Sequence, residues 1–69
     1  MTHTQFRETL ATLSLSQVGA ARLLGVNDRT ARRWANGEQD IPPPVVKFFK
    51  LMIALKLTPA RVSKILDSH

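Results

Sequence analysis

Three arginines and an asparagine follow one another at helical spacing in the middle of the chain. In the segment Asp28–Asn36, the side chains of Arg29, Arg32, Arg33 and Asn36 are three or four residues apart around a helix. At about 100° per residue they share one side of that helix. A guanidinium presents its N–H groups as a planar fork, which fits phosphate oxygens and the O6 and N7 atoms of guanine. The spacing therefore predicts a surface that binds a polyanion, and nucleic acid in particular.

The other side of this helix is apolar, and both of its ends carry recognisable signals. Ala31 and Trp34 project away from the arginines and predict a face that packs on the core. Asn27 is a suitable N-cap, and Gly37 can end the helix in the left-handed conformation. Trp34 could also stack on a nucleobase, but its position beside Ala31 favours packing.

A second short helix precedes this one. Ser16 can cap it, and Gly25 can end it. Its apolar positions predict a buried face: Val18, Ala21 and Leu24, with Leu23 at the edge. Residues 16–37 thus predict two short helices joined by a sharp turn at Val26. In helix-turn-helix proteins a second helix of this kind enters the DNA major groove.

These residues resemble the lambda-repressor-like, Cro-type (XRE) helix-turn-helix family. The family pattern opens with Gln, followed by Ala, Gly and an apolar residue, and Gln17, Ala21, Gly25 and Val26 match it in register. The continuation R-R-W-A-N-G-E-Q-D-I-P-P-P is also similar to a subgroup of that family. Ala31 departs from the family, which more often has Ile or Val there. The resemblance implies an all-α fold of five helices, with residues 1–69 forming one compact lambda-repressor-like DNA-binding domain and the helix-turn-helix at helices 2 and 3.

Chemistry and resemblance together assign candidate roles to eight residues. The side chains expected to read bases are Asp28, Arg29, Thr30 and Arg32, and those expected to contact the DNA backbone are Gln17, Arg22, Arg33 and Asn36. Asp28 has two interpretations. It could accept a hydrogen bond from cytosine N4, but we favour a role at the helix N-terminus, where it also orients Arg32.

The remaining helices are predicted from caps and periodicity. Thr2 and Gln5 fit a capping box for a first helix over about residues 4–13, whose core positions are Phe6, Leu10 and Leu13. After Ile41, the prolines at 42–44 predict a stiff connector rather than a proline-rich signalling ligand. A fourth helix is expected over residues 44–57. A fifth is expected over residues 58–67, with Thr58 as its cap, Pro59 in its first turn and an apolar stripe of Val62, Ile65 and Leu66.

Composition limits the classes of function. Ten Lys and Arg against five Asp and Glu give a net charge of +5, which favours an anionic partner. The five carboxylates are scattered, and the sequence has no cysteine, so we expect neither an enzyme nor a metal or other cofactor. No membrane span is expected, and the expected location is the cytoplasm.

The fourth helix indicates how the protein assembles. Its apolar arc covers about 240°, well beyond the roughly 100° of a surface helix. We therefore expect a homodimer through the C-terminal helices, bound to an inverted-repeat operator with half-site centres about 34 Å apart. A monomer whose core contains that helix is the alternative. The preferred function is a sequence-specific transcription regulator, and we favour a repressor over an activator. The alternative function is an antitoxin that neutralises a toxin and represses its own promoter.

Overall fold

Five α helices make up the computed structural model, which describes residues 1–68. The predicted all-α class is confirmed, and the described residues contain no strand. The helices are α1 (His3–Thr12), α2 (Gln17–Leu24), α3 (Asp28–Asn36), α4 (Pro43–Ala54) and α5 (Pro59–Asp67). They pack into a body of about 33 × 23 × 20 Å. No helix among residues 1–68 has the length and hydropathy needed to cross a bilayer.

Side-chain caps start four of the five helices, as the sequence predicts. Ser16 Oγ accepts a hydrogen bond from a backbone N–H in the first turn of α2 (2.9 Å), and Asn27 Oδ1 does the same for α3 (2.9 Å). Thr2 and Gln5 form the predicted capping box, with distances of 3.1 and 2.9 Å. Thr58 caps α5. Each such cap stabilises its helix by about 1 kcal/mol.

The helix ends are of two kinds. Gly25 and Gly37 adopt left-handed conformations, with φ of 72° and 77°, and end α2 and α3 where the sequence predicts. Ser14 and Lys56 also have positive φ, 55° each, although neither is a glycine. The predicted fourth helix over 44–57 is therefore too long at its C-terminus. It ends at Ala54, because Lys56 turns left-handed and the Leu57 N–H donates to the carbonyl oxygen of Met52 (2.8 Å).

The turn between α4 and α5 repeats the turn between α1 and α2. Both consist of Leu, a left-handed residue, Leu, and a Ser or Thr that caps the next helix. In the first turn the Leu15 N–H donates to Leu10 O at 2.8 Å, and in the second the Leu57 N–H donates to Met52 O at the same distance. The correspondence continues into α2 and α5, where Ala20 matches Val62 and both are buried. The chain thus contains two helix pairs, α1–α2 and α4–α5, that are joined by turns of the same construction, with α3 between them.

Aromatic rings connect three helices across the core. Phe6 of α1 contacts Trp34 of α3 edge-to-face, with ring centroids 6.0 Å apart and planes at 84°. Phe6 also contacts Phe49 of α4 at 6.0 Å, and Phe49 contacts Phe48 at 5.7 Å. Phe6, Trp34 and Phe49 are buried, so the orientation of α3 is fixed from behind by α1 and α4. Ile41 packs against the core and anchors the loop before α4.

Three positions predicted to be apolar contacts are exposed instead. Val18 is 42% exposed, because α2 is rotated so that Ala20 joins Ala21 on the buried side. In α5 only Val62 of the predicted stripe is buried, and Ile65 and Leu66 are 44% and 52% exposed. No other helix within residues 1–68 covers that part of α5.

Candidate nucleic-acid interface

Helix α3 has one fully buried side and one fully exposed side. Ala31 and Ala35 are completely buried, and Trp34 is 2% exposed. Packing of Trp34, preferred over base stacking, is confirmed. The four polar residues predicted to share the other side are all exposed: Arg29, Arg32, Arg33 and Asn36. Because the apolar side is held against α1 and α2, the polar side must face outward.

These four side chains line one open groove. Its volume is about 330 Å³, and Glu38 is the fifth residue in its wall. We refer to it as the arginine groove. Three guanidinium groups and one amide converge on it, which gives a dense set of hydrogen-bond donors on a single helix face.

The arginines of the arginine groove form no close ion pair within the described part of the chain. Within residues 1–68, no carboxylate oxygen lies within 4.0 Å of a lysine or arginine nitrogen. The favoured interpretation of Asp28 places it at the helix N-terminus and lets it orient Arg32 four residues on, and this stays a prediction. Asp28 lies in the first turn of α3, where a negative charge is favourable, and its side chain is exposed. The guanidinium groups keep their donors for a ligand.

The other predicted contact residues lie outside the arginine groove. Gln17 is the first residue of α2 and is half-buried, and Arg22 is exposed in the last turn of the same helix. Thr30 is half-buried on α3, so less of its side chain is available than the sequence suggests. Since α2 packs directly against α3, Gln17 and Arg22 flank the arginine-bearing helix but do not join its groove.

Glu38 is the groove residue that sequence reasoning does not assign. It follows the left-handed Gly37, and its backbone N–H donates to the carbonyl oxygen of Arg33 at 2.9 Å. This hydrogen bond fixes the backbone of Glu38 at the end of α3. The signal in the sequence is the Gly-Glu pair, because a glycine stop of this kind turns the next residue back toward the last helical turn.

Residues 1–68 contain no group of three His, Asp or Glu side chains arranged to bind a metal ion. One buried polar atom, Trp34 Nε1, lacks a hydrogen-bond partner there, but it belongs to the packed side of α3. The chemistry that the described residues offer is that of the exposed arginine and asparagine donors of α3, which can bind anions and hydrogen-bond acceptors.

Comparisons with known proteins identify no relative of this chain. No protein-family model, curated protein or solved structure matches the chain.

Proposed function

We propose that this protein is a sequence-specific double-stranded DNA-binding regulator of transcription, a repressor acting in the cytoplasm. In this proposal α2 and α3 form a helix-turn-helix, and α3 lies in the major groove. Arg29 and Arg32 donate to base edges, with Asp28 and Thr30 beside them. The backbone contacts come from Gln17, Arg22, Arg33 and Asn36.

The observation that carries the proposal is the arginine groove. An α helix fits the major groove of B-DNA, and the commonest specific contact there is a bidentate arginine on guanine O6 and N7. Helix α3 offers three exposed arginines with no carboxylate within 4.0 Å, while its opposite side is buried. The net charge of +5 adds a general attraction to DNA.

The sequence resemblance supports the same function. Gln17, Ala21, Gly25 and Val26 lie where the lambda-repressor-like, Cro-type pattern has them, and the positions of the first three in the structure are compatible with that pattern. Gln17 begins α2, Ala21 is fully buried, and Gly25 is left-handed. Ala31, the departure from that pattern, is fully buried, so a small residue fits the helix contact.

The direct test is selection of binding sites from random duplexes, followed by fluorescence anisotropy. We expect the selected duplex to bind at least about a thousandfold more tightly than a scrambled duplex of the same length. Equal affinity for the two duplexes would contradict sequence-specific regulation.

Substitution of single arginines tests the assigned roles. Arg29→Ala and Arg32→Ala should each weaken binding to the selected site by about 1–3 kcal/mol and relax the base preference at one position. Repeating the selection with each variant measures this directly. Unchanged preferences in both variants would contradict base reading by these residues.

We also propose that the regulator is a homodimer through its C-terminal helices. Five of the large apolar side chains exposed in residues 1–68 belong to α4, its C-cap and α5: Leu51, Ile53, Leu55, Ile65 and Leu66. Exposed large apolar side chains concentrated in one part of a soluble protein can mark an interface with a partner. Phe49 and Met52 are buried within one chain and are not available to a partner.

The two matching helix pairs, a first unit of α1 and α2 and a second unit of α4 and α5, indicate which face of α5 lacks a partner. In the first unit, Ala21 is buried and Leu24 half-buried where α2 packs against α3. The matching residues of the second unit, Ser63 and Leu66, are exposed. The second unit thus has a helix-binding face with no helix on it. A second copy fits this face, since Ser63 is small enough for two α5 helices to cross closely about a two-fold axis.

Oligomeric state tests this assembly with a matched control. Ile65→Lys should shift the protein from dimer to monomer in sedimentation equilibrium with operator duplex present. Val18→Lys makes the same change at a similarly exposed position on α2 and should leave the stoichiometry unchanged. One chain per full palindrome in the wild-type protein would contradict the dimer. A heterocomplex with a toxin that Ile65→Lys disrupts would favour the antitoxin function instead.

A further inference from the structure

Glu38 places a carboxylate in a groove whose other charged residues are arginines. The groove is lined by Arg29, Arg32, Arg33, Asn36 and Glu38. The carboxylate is not tied up by its neighbours, because no ion pair within 4.0 Å forms among residues 1–68. A surface built only to attract phosphate would gain from a neutral or basic residue at this position.

The position of Glu38 is set by the end of α3 rather than by a free loop. Gly37 has φ of 77°, and the backbone N–H groups of Glu38 and Gln39 both donate to the carbonyl oxygen of Arg33, at 2.9 and 3.3 Å. The backbone of Glu38 is therefore held at the end of α3, which keeps its carboxylate within reach of the arginine groove. An ionised carboxylate can only accept hydrogen bonds, and so can a phosphate oxygen. Any DNA that fills the arginine groove therefore brings its phosphates near a group that cannot donate to them.

We propose that Glu38 is a specificity-determining residue that lowers the affinity for DNA other than the operator. Non-specific binding consists almost entirely of contacts to DNA phosphates. A carboxylate beside the arginines that bind those phosphates repels the phosphates and so weakens this binding. On the operator, α3 is seated in the major groove, where the same carboxylate can accept a hydrogen bond from a base amino group such as cytosine N4. The repulsion between Glu38 and phosphate thus remains in the non-specific complex and is compensated in the operator complex.

This role rests on the proposed DNA-binding function and deepens it. The proposed function requires only that the wild-type protein bind the operator much more tightly than a scrambled duplex. The role of Glu38 concerns how much of that ratio of affinities depends on its carboxylate. The two can fail separately, because the wild-type ratio is measured first.

Glu38→Gln is the informative substitution, since it removes the charge and keeps the size. At low salt, we expect the Kd for a scrambled duplex to fall about two- to fivefold, a change typical of one unit charge acting across several ångströms of solvent. The Kd for the operator should change by less, so the specificity ratio falls. The gain on the scrambled duplex should disappear at high salt, because it is electrostatic.

Glu8→Gln is the matched control. Glu8 is an exposed glutamate on α1, outside the arginine groove, and its substitution changes the net charge by the same amount. It should leave the specificity ratio unchanged, and circular dichroism should show both variants folded. The role of Glu38 is refuted if both variants behave alike, or if Glu38→Gln tightens operator and scrambled duplex by the same factor. A wild-type ratio near one would remove the proposed function, and this role with it.

Discussion

Trp34 should be the side chain on which the orientation of the arginine-bearing helix depends most. It is 2% exposed and contacts Phe6 edge-to-face, and through Phe6 it is linked to Phe49 of α4. Trp34→Ala removes this contact and leaves a cavity at the junction of α1 and α3. Trp34→Phe keeps an aromatic ring there and removes the indole N–H, which is buried and has no hydrogen-bond partner among residues 1–68.

The two substitutions should differ widely in cost. Truncation of a buried Trp to Ala typically costs about 3–5 kcal/mol, and the aromatic pair adds about 0.5–1.5 kcal/mol. A chain of this length is stable by only about 3–10 kcal/mol, so Trp34→Ala should be largely unfolded. Trp34→Phe loses volume but also loses an unsatisfied donor, whose burial costs about 1–3 kcal/mol. We expect its net destabilisation to stay below about 2 kcal/mol.

Urea denaturation followed by circular dichroism at the helix band measures both values. Tryptophan fluorescence is unsuitable, because Trp34 is the single tryptophan of the chain. A folded Trp34→Ala variant that has lost only DNA binding would refute packing as the role of Trp34. Equal destabilisation by Ala and Phe would refute the argument from the unpaired N–H.

Two further pairs of substitutions follow from the turns and the basic surface. Ser14→Gly and Lys56→Gly should each raise stability by about 0.5–1 kcal/mol, since both residues have φ of 55°, and thermal melts that show a lower Tm would contradict this. Arg22→Ala and Arg33→Ala should weaken binding to operator and scrambled duplex about equally. Each should also reduce the slope of log K against log salt by about one unit. A changed base preference in Arg33→Ala would show that it reads a base.

Local chemistry made the central helices predictable. The ends of α2 and α3 depend on Ser16, Asn27, Gly25 and Gly37, whose preferences are strong enough to act without tertiary context. The amphipathic pattern of α3 also placed its arginines correctly, because Trp34 and the alanines leave only one rotation of that helix that buries them.

The end of α4 and the rotation of α2 depend on tertiary structure. Lys56 is not a residue that normally ends a helix, and it does so because the following Leu57 packs against the core and bonds back to Met52. In α2, a face centred on Val18 and a face centred on Ala20 have similar periodicity. Close packing against α3 and α5 selects the smaller residue.

The four α3 residues of the arginine groove were predictable from the sequence, but Glu38 was not. Helical spacing brings Arg29, Arg32, Arg33 and Asn36 to one face, whereas Glu38 joins them only through the left-handed turn at Gly37. The i, i+4 spacing of Asp28 and Arg32 does not by itself decide whether they pair. Both side chains are exposed, and an exposed pair gains little from contact.

Replacement of guanine by 7-deazaguanine in the selected operator tests major-groove reading by α3 most directly. This substitution removes the N7 acceptor from the major groove and leaves base pairing and the minor groove intact. At the guanine that Arg32 contacts, it should weaken wild-type binding by about 1–3 kcal/mol and weaken Arg32→Ala no further, because the lost acceptor and the lost guanidinium belong to one contact. Wild-type affinity that is unchanged by 7-deazaguanine at every position of the operator would contradict the claim that the arginines of α3 read guanines in the major groove.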